Sequence, residues 1–224
     1  MIATAAHPNR LKAALWEGRP QRGLFSGTPR RSGFSETGFD CLICEAGEVF
    51  DPSGFAAAGF DTCEIAVCAD RRARLVLRNL LRKGIQNIVL TGIAGPSDAR
   101  DALTALHGRS GLCRPWRGDQ SAREESDTQA AEAEICTLAL VDGLTDIETL
   151  AAIARIRGLS GLILDPARIQ PEFSWAWLSA LALRIRSAGK APGIVIAHDG
   201  EPEAYFESGF LFVVRREGYP RRPL

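Results

Sequence analysis

The alternation of strand and helix patterns along the chain predicts an α/β fold, a (β/α)8 TIM barrel with shortened helices and a reduced or missing final helix. Eight short apolar segments occur along the 224 residues, and helical patterns separate most of them. The segments are rich in Ile, Val and Leu, which is typical of parallel strands covered on both faces. Eight strands with intervening helices is the count of a closed barrel. We therefore expect one domain over residues 1–224.

Short runs of apolar residues define the strands, and the predicted strands are Arg22–Ser26, Cys41–Glu45, Cys63–Cys68, Asn87–Gly92, Cys136–Asp142, Gly161–Asp165, Gly193–His198 and Phe210–Val214. Apolar residues three and four positions apart define the helices. The predicted helices are Ala73–Lys83, Asp98–Leu106 with Ser97 as its N-cap, Asp146–Ile156, Ser174–Ser187 and Glu201–Glu207. The segments after the first two strands are short for helices, and only residues 215–224 follow the eighth. The polar stretch Arg114–Glu132 is predicted to be a long loop.

The charge balance argues against two classes of partner. Lys and Arg together number 27, Asp and Glu together number 27, and the formal net charge is +0 at pH 7. This balance provides no general attraction to nucleic acid or to an anionic membrane. No run of eighteen apolar residues is present, so no segment is predicted to span a bilayer. The first residues lack a signal-peptide pattern, and we expect a cytoplasmic protein.

The six cysteines are predicted to be reduced and buried, as expected in that compartment. Cys41 and Cys44 form a C-x-x-C, but both lie within one predicted strand. Residues three apart in a strand point to opposite faces, so these two thiols cannot share a zinc ion. We expect them to be core residues.

Candidate chemistry lies at the carboxyl ends of the strands, where the active sites of such barrels form. The polar residues at those ends are Glu45, Glu48, Cys68, Asp70, Thr91, Asp142, Asp165, Arg168, His198, Asp199 and the segment Arg215–Glu217. Several carboxylates on one rim can hold a hard divalent cation through oxygen ligands. The alternative interpretation is that each carboxylate caps the next helix, which requires no metal.

The three lysines exclude one mechanism. Lys12, Lys83 and Lys190 all precede predicted strands, so they are expected at the amino-terminal face of the barrel. A Schiff-base aldolase needs a lysine buried in its active site. The positions of the lysines therefore argue against imine catalysis. The sequence also lacks the G-x-S-x-G motif of a serine hydrolase.

Several segments, in their order and spacing, resemble the HpcH/HpaI aldolase family. Asn9–Phe25 resembles its opening helix and strand, and Gly38–Glu48 (GFDCLICEAGE) resembles its "GFDwlliDxEH" segment. Further similar segments are Leu80–Gly92, Leu159–Arg168, Ser187–Ala197 and Glu207–Val214. The resemblance covers Asn9 to Glu217. It implies a lyase that cleaves or forms carbon–carbon bonds through pyruvate-like enolates, with a divalent metal (Mg, Mn or Co) as the Lewis acid.

The resemblance also implies a small oxo-acid or another small molecule as the ligand. It implies a homo-oligomer as well, because the family assembles as trimers or hexamers through its last helices. Since little chain follows the eighth strand here, we expect any oligomer to be altered, and a monomer or a dimer is an open alternative.

Carried over residue by residue, the family pattern is substituted at important positions. The metal-ligand Glu after the fifth strand falls on Asp142, and the second metal-ligand Asp falls on Arg168. The Asp and His of "DxEH" fall on Glu45 and Glu48, and the substrate-binding Arg falls on Cys68. In the last strand, the first residue of the family's "GxD" falls on Arg216.

These positions give the predicted site: catalytic residues Glu45, Glu48 and Arg168, metal ligands Asp142 and Asp165, and substrate-binding residues Cys68, Thr91 and His198. One hypothesis is a shifted cation site built from Asp142, Asp165 and Glu48, with Arg168 binding a substrate carboxylate. Two functions stay open at this point. The chain is either a divergent lyase of the family or a catalytically inactive homologue that binds a small molecule or a partner subunit.

Overall fold

The computed structural model describes residues 9–26, 38–46, 64–107, 134–142, 146–166 and 174–216. Within them, eight parallel strands form a closed barrel in sequence order, and the last strand pairs with the first. The strands are β1 (Gln21–Ser26), β2 (Cys41–Glu45), β3 (Glu64–Asp70), β4 (Asn87–Thr91), β5 (Cys136–Val141), β6 (Gly161–Leu164), β7 (Ala191–Ala197) and β8 (Phe212–Arg216). The predicted barrel is confirmed.

Helices precede β1 and follow each strand from β3 to β7. They are α1 (Arg10–Trp16), α2 (Arg74–Arg82), α3 (Pro96–His107), α4 (Ile147–Ala154), α5 (Trp175–Ser187) and α6 (Pro202–Glu207). None of the described helices is long and apolar enough to cross a membrane. The predicted loop Arg114–Glu132 and the region of a closing helix, residues 217–224, lie outside the described residues.

The two-residue period of the strands separates the core into an interior and an outer layer. Cys41 and Ile43 belong to the interior cluster, whereas Leu42 and Cys44 pack in the outer cluster between strands and helices. Both cysteines are buried and neither forms a disulfide, which confirms that this C-x-x-C consists of core residues on opposite faces.

A buried polar network holds the amino-terminal end of the barrel together. Asn9 is 1% exposed and caps α1, because its side chain accepts a hydrogen bond from the Lys12 backbone N–H at 2.8 Å. Its Nδ2 donates to Asn87 Oδ1 at 2.8 Å and to the Glu134 carbonyl at 2.9 Å. Asn87 in turn donates to Glu64 Oε2 at 3.2 Å. The network thereby links α1 with β3, β4 and the residue that leads into β5, leaving few buried polar groups without partners.

The five predicted helices begin one or two residues away from their starts in the structure, and two of these differences concern the N-cap. Helix α3 begins at Pro96, so Ser97 lies inside the first turn and is not the N-cap. Proline suits this position because its fixed φ is helical and its missing N–H has no partner there in any helix. Helix α4 begins after Asp146, whose side chain accepts the Thr149 N–H at 2.8 Å and is the true N-cap.

The eighth strand is also displaced from its prediction. Phe210 and Leu211 are buried but precede the strand, which runs two residues further to Arg216. Apolar content alone does not separate buried lead-in residues from paired ones. The pairing of Gln21 with Phe212 and of Phe25 with Arg216 decides the register.

Close packing between neighbouring strands makes Gly161 in β6 intolerant of a side chain. A Cβ at this position would lie 2.5 Å from the Ala191 carbonyl oxygen and 2.9 Å from Leu138 Cδ2. We expect Gly161→Ala to lower the free energy of unfolding by about 2–3 kcal/mol, because backbone must move to accommodate the methyl group. Urea denaturation measures this loss.

Gly95→Ala is the matched control, since nothing lies within 4 Å of its Cβ position. It should change stability by less than about 0.5 kcal/mol. Equal effects of the two substitutions would show that the interstrand contact at Gly161 is not limiting.

Candidate active site at the carboxyl end of the barrel

Six side chains from different strands gather at the carboxyl end of the barrel. All six belong to positions that face the inside of the barrel. Phe25 is part of the interior cluster, and each of the others lies two residues after a strand residue that belongs to that cluster. We call this region the C-terminal mouth, and its residues are Phe25, Glu45, Thr91, Asp142, Asp165 and Arg216. The parallel sheet brings them together because all strands end at the same face.

The guanidinium of Arg216 occupies the C-terminal mouth. Its Nη1 lies 3.6 Å from Asp165 Oδ2, and its Nη2 lies 3.9 Å from Glu45 Oε1. Its Cζ lies 4.4 Å from the centroid of the Phe25 ring, which is a cation–π contact. Both ion-pair distances are longer than a hydrogen bond, so charge and stacking hold the guanidinium between the two carboxylates.

The two carboxylates beside Arg216 differ sharply in solvent access. The Asp165 side chain is 1% exposed, the Glu45 side chain is 61% exposed, and that of Arg216 is 25% exposed. A carboxylate buried as deeply as Asp165 requires a compensating positive charge. Arg216 supplies that charge, while Glu45 remains open to a ligand from solvent.

Thr91 and Asp142 are half-buried at the ends of β4 and β5. Asp70, the partner of Thr91 in the sheet register, serves its own turn instead of the C-terminal mouth. It accepts a hydrogen bond from the Arg72 backbone N–H at 2.7 Å, and a Cβ at Gly92 would lie 3.3 Å from its Oδ2. Asp70 is therefore a strand-end carboxylate that stabilises a turn.

Cys68 lies within the interior cluster and is 5% exposed. Burial raises the pKa of its thiol well above the ordinary value, and the negative charge of Glu45 raises that pKa further. The thiol is therefore protonated at neutral pH and is not an activated nucleophile.

Comparison with known proteins gives a relationship over nearly the whole chain. No model of a known protein family matches it. A 4-hydroxy-2-oxo-heptane-1,7-dioate aldolase from Shigella sonnei is 27% identical over 235 residues, covering 92% of this chain and 87% of that protein. The crystal structure of an HpcH/HpaI aldolase from Desulfitobacterium hafniense matches with a TM-score of 0.71 at 17% identity, covering 92% of this chain and 90% of that one. The chain is a divergent relative of the HpcH/HpaI aldolases.

A third match is more distant. The CITE protein of Mycobacterium tuberculosis, in complex with magnesium and pyruvate, matches with a TM-score of 0.53 at 14% identity, covering 88% of this chain and 85% of that chain. At such identities the structural matches concern the fold alone. They agree with the closed parallel barrel described above.

The structure brings together only some of the predicted site residues. Glu45 and Asp165 meet at Arg216, and His198 lies half-buried in the turn after β7. Glu48 and Arg168 lie outside the described residues, so the arrangement predicted around them stays a prediction.

Arg216 is the site residue that sequence reasoning missed. The predicted eighth strand ended at Val214, which left Arg216 among the general strand-end residues. The usable signal was its position where the family has the glycine of "GxD". A glycine there leaves space in the C-terminal mouth, whereas the arginine fills it with a positive charge.

The described residues do not fit a divalent metal ion. Within the described ranges, no three His, Cys, Asp or Glu side chains come together as a metal site. Arg216 lies between the carboxylates of Glu45 and Asp165, so a metal ion bound to Asp165 would lie close to its guanidinium. Like charges at such a separation repel strongly in a partly buried site.

Removal of that guanidinium should increase the affinity of the site for cations. We expect Arg216→Gln to bind Mn²⁺ at least about tenfold more tightly than the unmodified protein, because two carboxylates lose their fixed counter-charge. Isothermal titration calorimetry measures the affinity, and circular dichroism verifies that the variant is folded.

The matched control is Arg215→Gln, which removes the same charge one residue earlier on the opposite face of β8. It should leave Mn²⁺ affinity unchanged. Equal Mn²⁺ affinity in Arg216→Gln and in the unmodified protein would contradict the assignment of Arg216 as the resident cation.

Proposed function

We propose that the chain is an aldolase-like carbon–carbon lyase that binds a small 2-oxo acid in the C-terminal mouth. The observation that carries this proposal is the Arg216 guanidinium, stacked on Phe25 and held between a buried and an exposed carboxylate. The aldolase identity of its relatives supports the reaction class. Two relatives, one named for an oxo-acid substrate and one crystallised with pyruvate, support the ligand class.

Arg216 is suited to hold the carboxylate of such an acid. A guanidinium is planar and offers two parallel N–H donors that match a carboxylate. At 3.6 Å and 3.9 Å, the contacts with Asp165 and Glu45 are too long to be hydrogen bonds, so an incoming anion does not have to displace short ones. Phe25 supports the plane of the guanidinium from one side and orients it.

The proposed reaction is a retro-aldol cleavage of a 4-hydroxy-2-oxo acid. The exposed Glu45 carboxylate takes the proton of the 4-hydroxyl group, the C3–C4 bond breaks, and an aldehyde leaves. The electron pair of that bond passes to the 2-oxo oxygen, giving an enolate beside the Arg216 guanidinium, whose charge stabilises it. The protonated Glu45 then returns its proton to C3, which yields the 2-oxo acid product and restores the carboxylate.

The steps above assign no role to the divalent metal implied by the family, because Arg216 lies between the two carboxylates described here. Mg²⁺, Mn²⁺ and Co²⁺ therefore enter as variables of the test. We further propose a cytoplasmic location, which the four buried, non-disulfide cysteines of the described residues support. The alternative of a monomer or a dimer is tested by size exclusion with light scattering.

A specific observation favours a second function, a catalytically inactive homologue that binds a small molecule or a partner subunit. Arg216 lies between two carboxylates, so the C-terminal mouth is internally charge-compensated without a substrate or a metal ion. Such a self-compensated mouth can bind an anion through Arg216 without performing chemistry.

Product formation distinguishes the two functions. With 4-hydroxy-2-oxo-heptane-1,7-dioate as the probe, we expect the unmodified protein to release pyruvate in the presence of EDTA. Glu45→Gln and Arg216→Gln should each lower the rate about 100-fold or more, the usual loss when a general base or a preorganised charge is removed. A lactate dehydrogenase coupled assay measures the rate.

Glu203→Gln and Arg215→Gln serve as matched controls and should retain full activity. Glu203 is exposed and pairs with Arg22 at 2.7 Å on the outer side of the barrel. Pyruvate binding that depends on Arg216, without turnover at any added metal, would establish the second function. Absence of both binding and turnover would refute both.

A further inference from the structure

A second cavity lies at the amino-terminal end of the barrel, opposite the C-terminal mouth. Its volume is about 390 Å³, which is within the range of small-molecule sites. The wall comes from α1 and the turn after it, from the last turn of α5, and from residues at or before the starts of β6, β7 and β8. We call it the N-terminal cavity, and the residues important here are Lys12, Trp16, Gly18, Leu159, Arg186 and Lys190. In barrels of this type, this face ordinarily contributes stability instead of chemistry.

Three cationic side chains from separate elements converge on the N-terminal cavity. Lys12 comes from α1, Arg186 from the last turn of α5, and Lys190 from the segment before β7. The Arg186 Nη2 lies 3.9 Å from the position of a Cβ on Gly18, so its guanidinium reaches across to the turn after α1. The described residues that line the cavity include no carboxylate.

The backbone compensates part of the positive charge of Lys190. Lys190 Nζ donates a hydrogen bond to the Leu159 carbonyl at 2.6 Å. Helix α5 ends nearby, and the carboxyl end of a helix favours a cation there. Yet burial lowers the pKa of Lys190, and the positive charge of Lys12 lowers that pKa further. Two ammonium groups thus oppose each other at a site that a negative ligand would stabilise.

An aromatic ring borders the same cavity. The Trp16 side chain, at the end of α1, is 84% exposed although it belongs to one of the largest apolar residues. A free indole beside three cations offers a flat apolar surface for the carbon part of a ligand. The combination is that of a site for an organic anion, in which charge fixes the anionic groups and the ring covers the remainder.

We propose that the N-terminal cavity binds a small organic anion with two or more negative charges, held by Lys12, Arg186 and Lys190 and covered by Trp16. Phosphate esters and small di- or tricarboxylates share this chemistry. The site is separate from the C-terminal mouth and does not depend on the function proposed for it.

Calorimetry with phenyl phosphate, a phosphate ester, and, separately, with citrate tests the proposal at low ionic strength. We expect saturable binding of at least one of the two at one site per chain. Lys190→Gln and Arg186→Gln should each weaken it about tenfold or more, since each removes a charged hydrogen-bond donor. Glutamine at position 190 keeps a donor for the Leu159 carbonyl. Lys12→Gln provides a further variant if one of these does not fold.

Arg184→Gln is the matched control, because Arg184 lies two residues before Arg186 on α5 and pairs with Glu148 at 3.1 Å on the exposed surface. It should bind both probes with unchanged affinity. Ligand addition should also change tryptophan fluorescence in the unmodified protein, and this change should be lost in Trp16→Phe. The response of Trp16 is a readout that a purely structural role of the lysines would not produce.

Three outcomes would overturn the proposal. The first is no saturable binding of either probe, and the second is an equal loss of binding affinity in Arg184→Gln and Arg186→Gln. The third is binding that disappears in Arg216→Gln and persists in Lys190→Gln, which would assign the anion to the C-terminal mouth. Retention of binding in Arg216→Gln supports the N-terminal cavity.

Discussion

The parallel pairing of β8 with β1 is the constraint on which the site depends. It closes the barrel and aligns Phe25 with Arg216 in the register. The same closure brings the guanidinium, which would otherwise end an edge strand, over the interior between β2 and β6. Asp165 can then be almost completely buried, because a cation from across the C-terminal mouth compensates it. The pairing that closes the barrel therefore also places the cation that compensates the buried Asp165.

Buried charges are compensated in different ways at the two ends of the barrel. At the C-terminal mouth, one guanidinium lies between carboxylates, and the positive and negative groups compensate each other. At the N-terminal cavity, cations meet without a carboxylate among the described lining residues, and the Leu159 carbonyl and the carboxyl end of α5 compensate the charge of Lys190 in part. Asn9 and Asn87, both buried, form a hydrogen-bonded pair at the same end of the barrel. The barrel therefore has a charge-compensated C-terminal mouth and a cluster of positive charges at its opposite end.

Much of the fold followed from local pattern, and most errors occurred at element ends. The burial of Cys41 and Cys44 on opposite faces follows from the two-residue period alone. The starts of α3 and α4 were displaced because several residues near each start can cap a helix, and only the backbone path selects Asp146. The end of β8 was misplaced by two residues, which hid Arg216. Of the predicted site, Glu45 and Asp165 come together, whereas Cys68 lies in the apolar interior.

By itself, the sequence determined the strand count, the alternation with helices, the relationship to the aldolases and the location of the lysines at the amino-terminal face. These properties depend on periodicity and order, which are local and accumulate along the chain. Only the tertiary structure decided that Arg216 lies between Glu45 and Asp165, and that Lys12, Arg186 and Lys190 share a cavity. Such contacts join residues from distant parts of the chain, and their distances depend on strand register, which no local pattern encodes to within one residue.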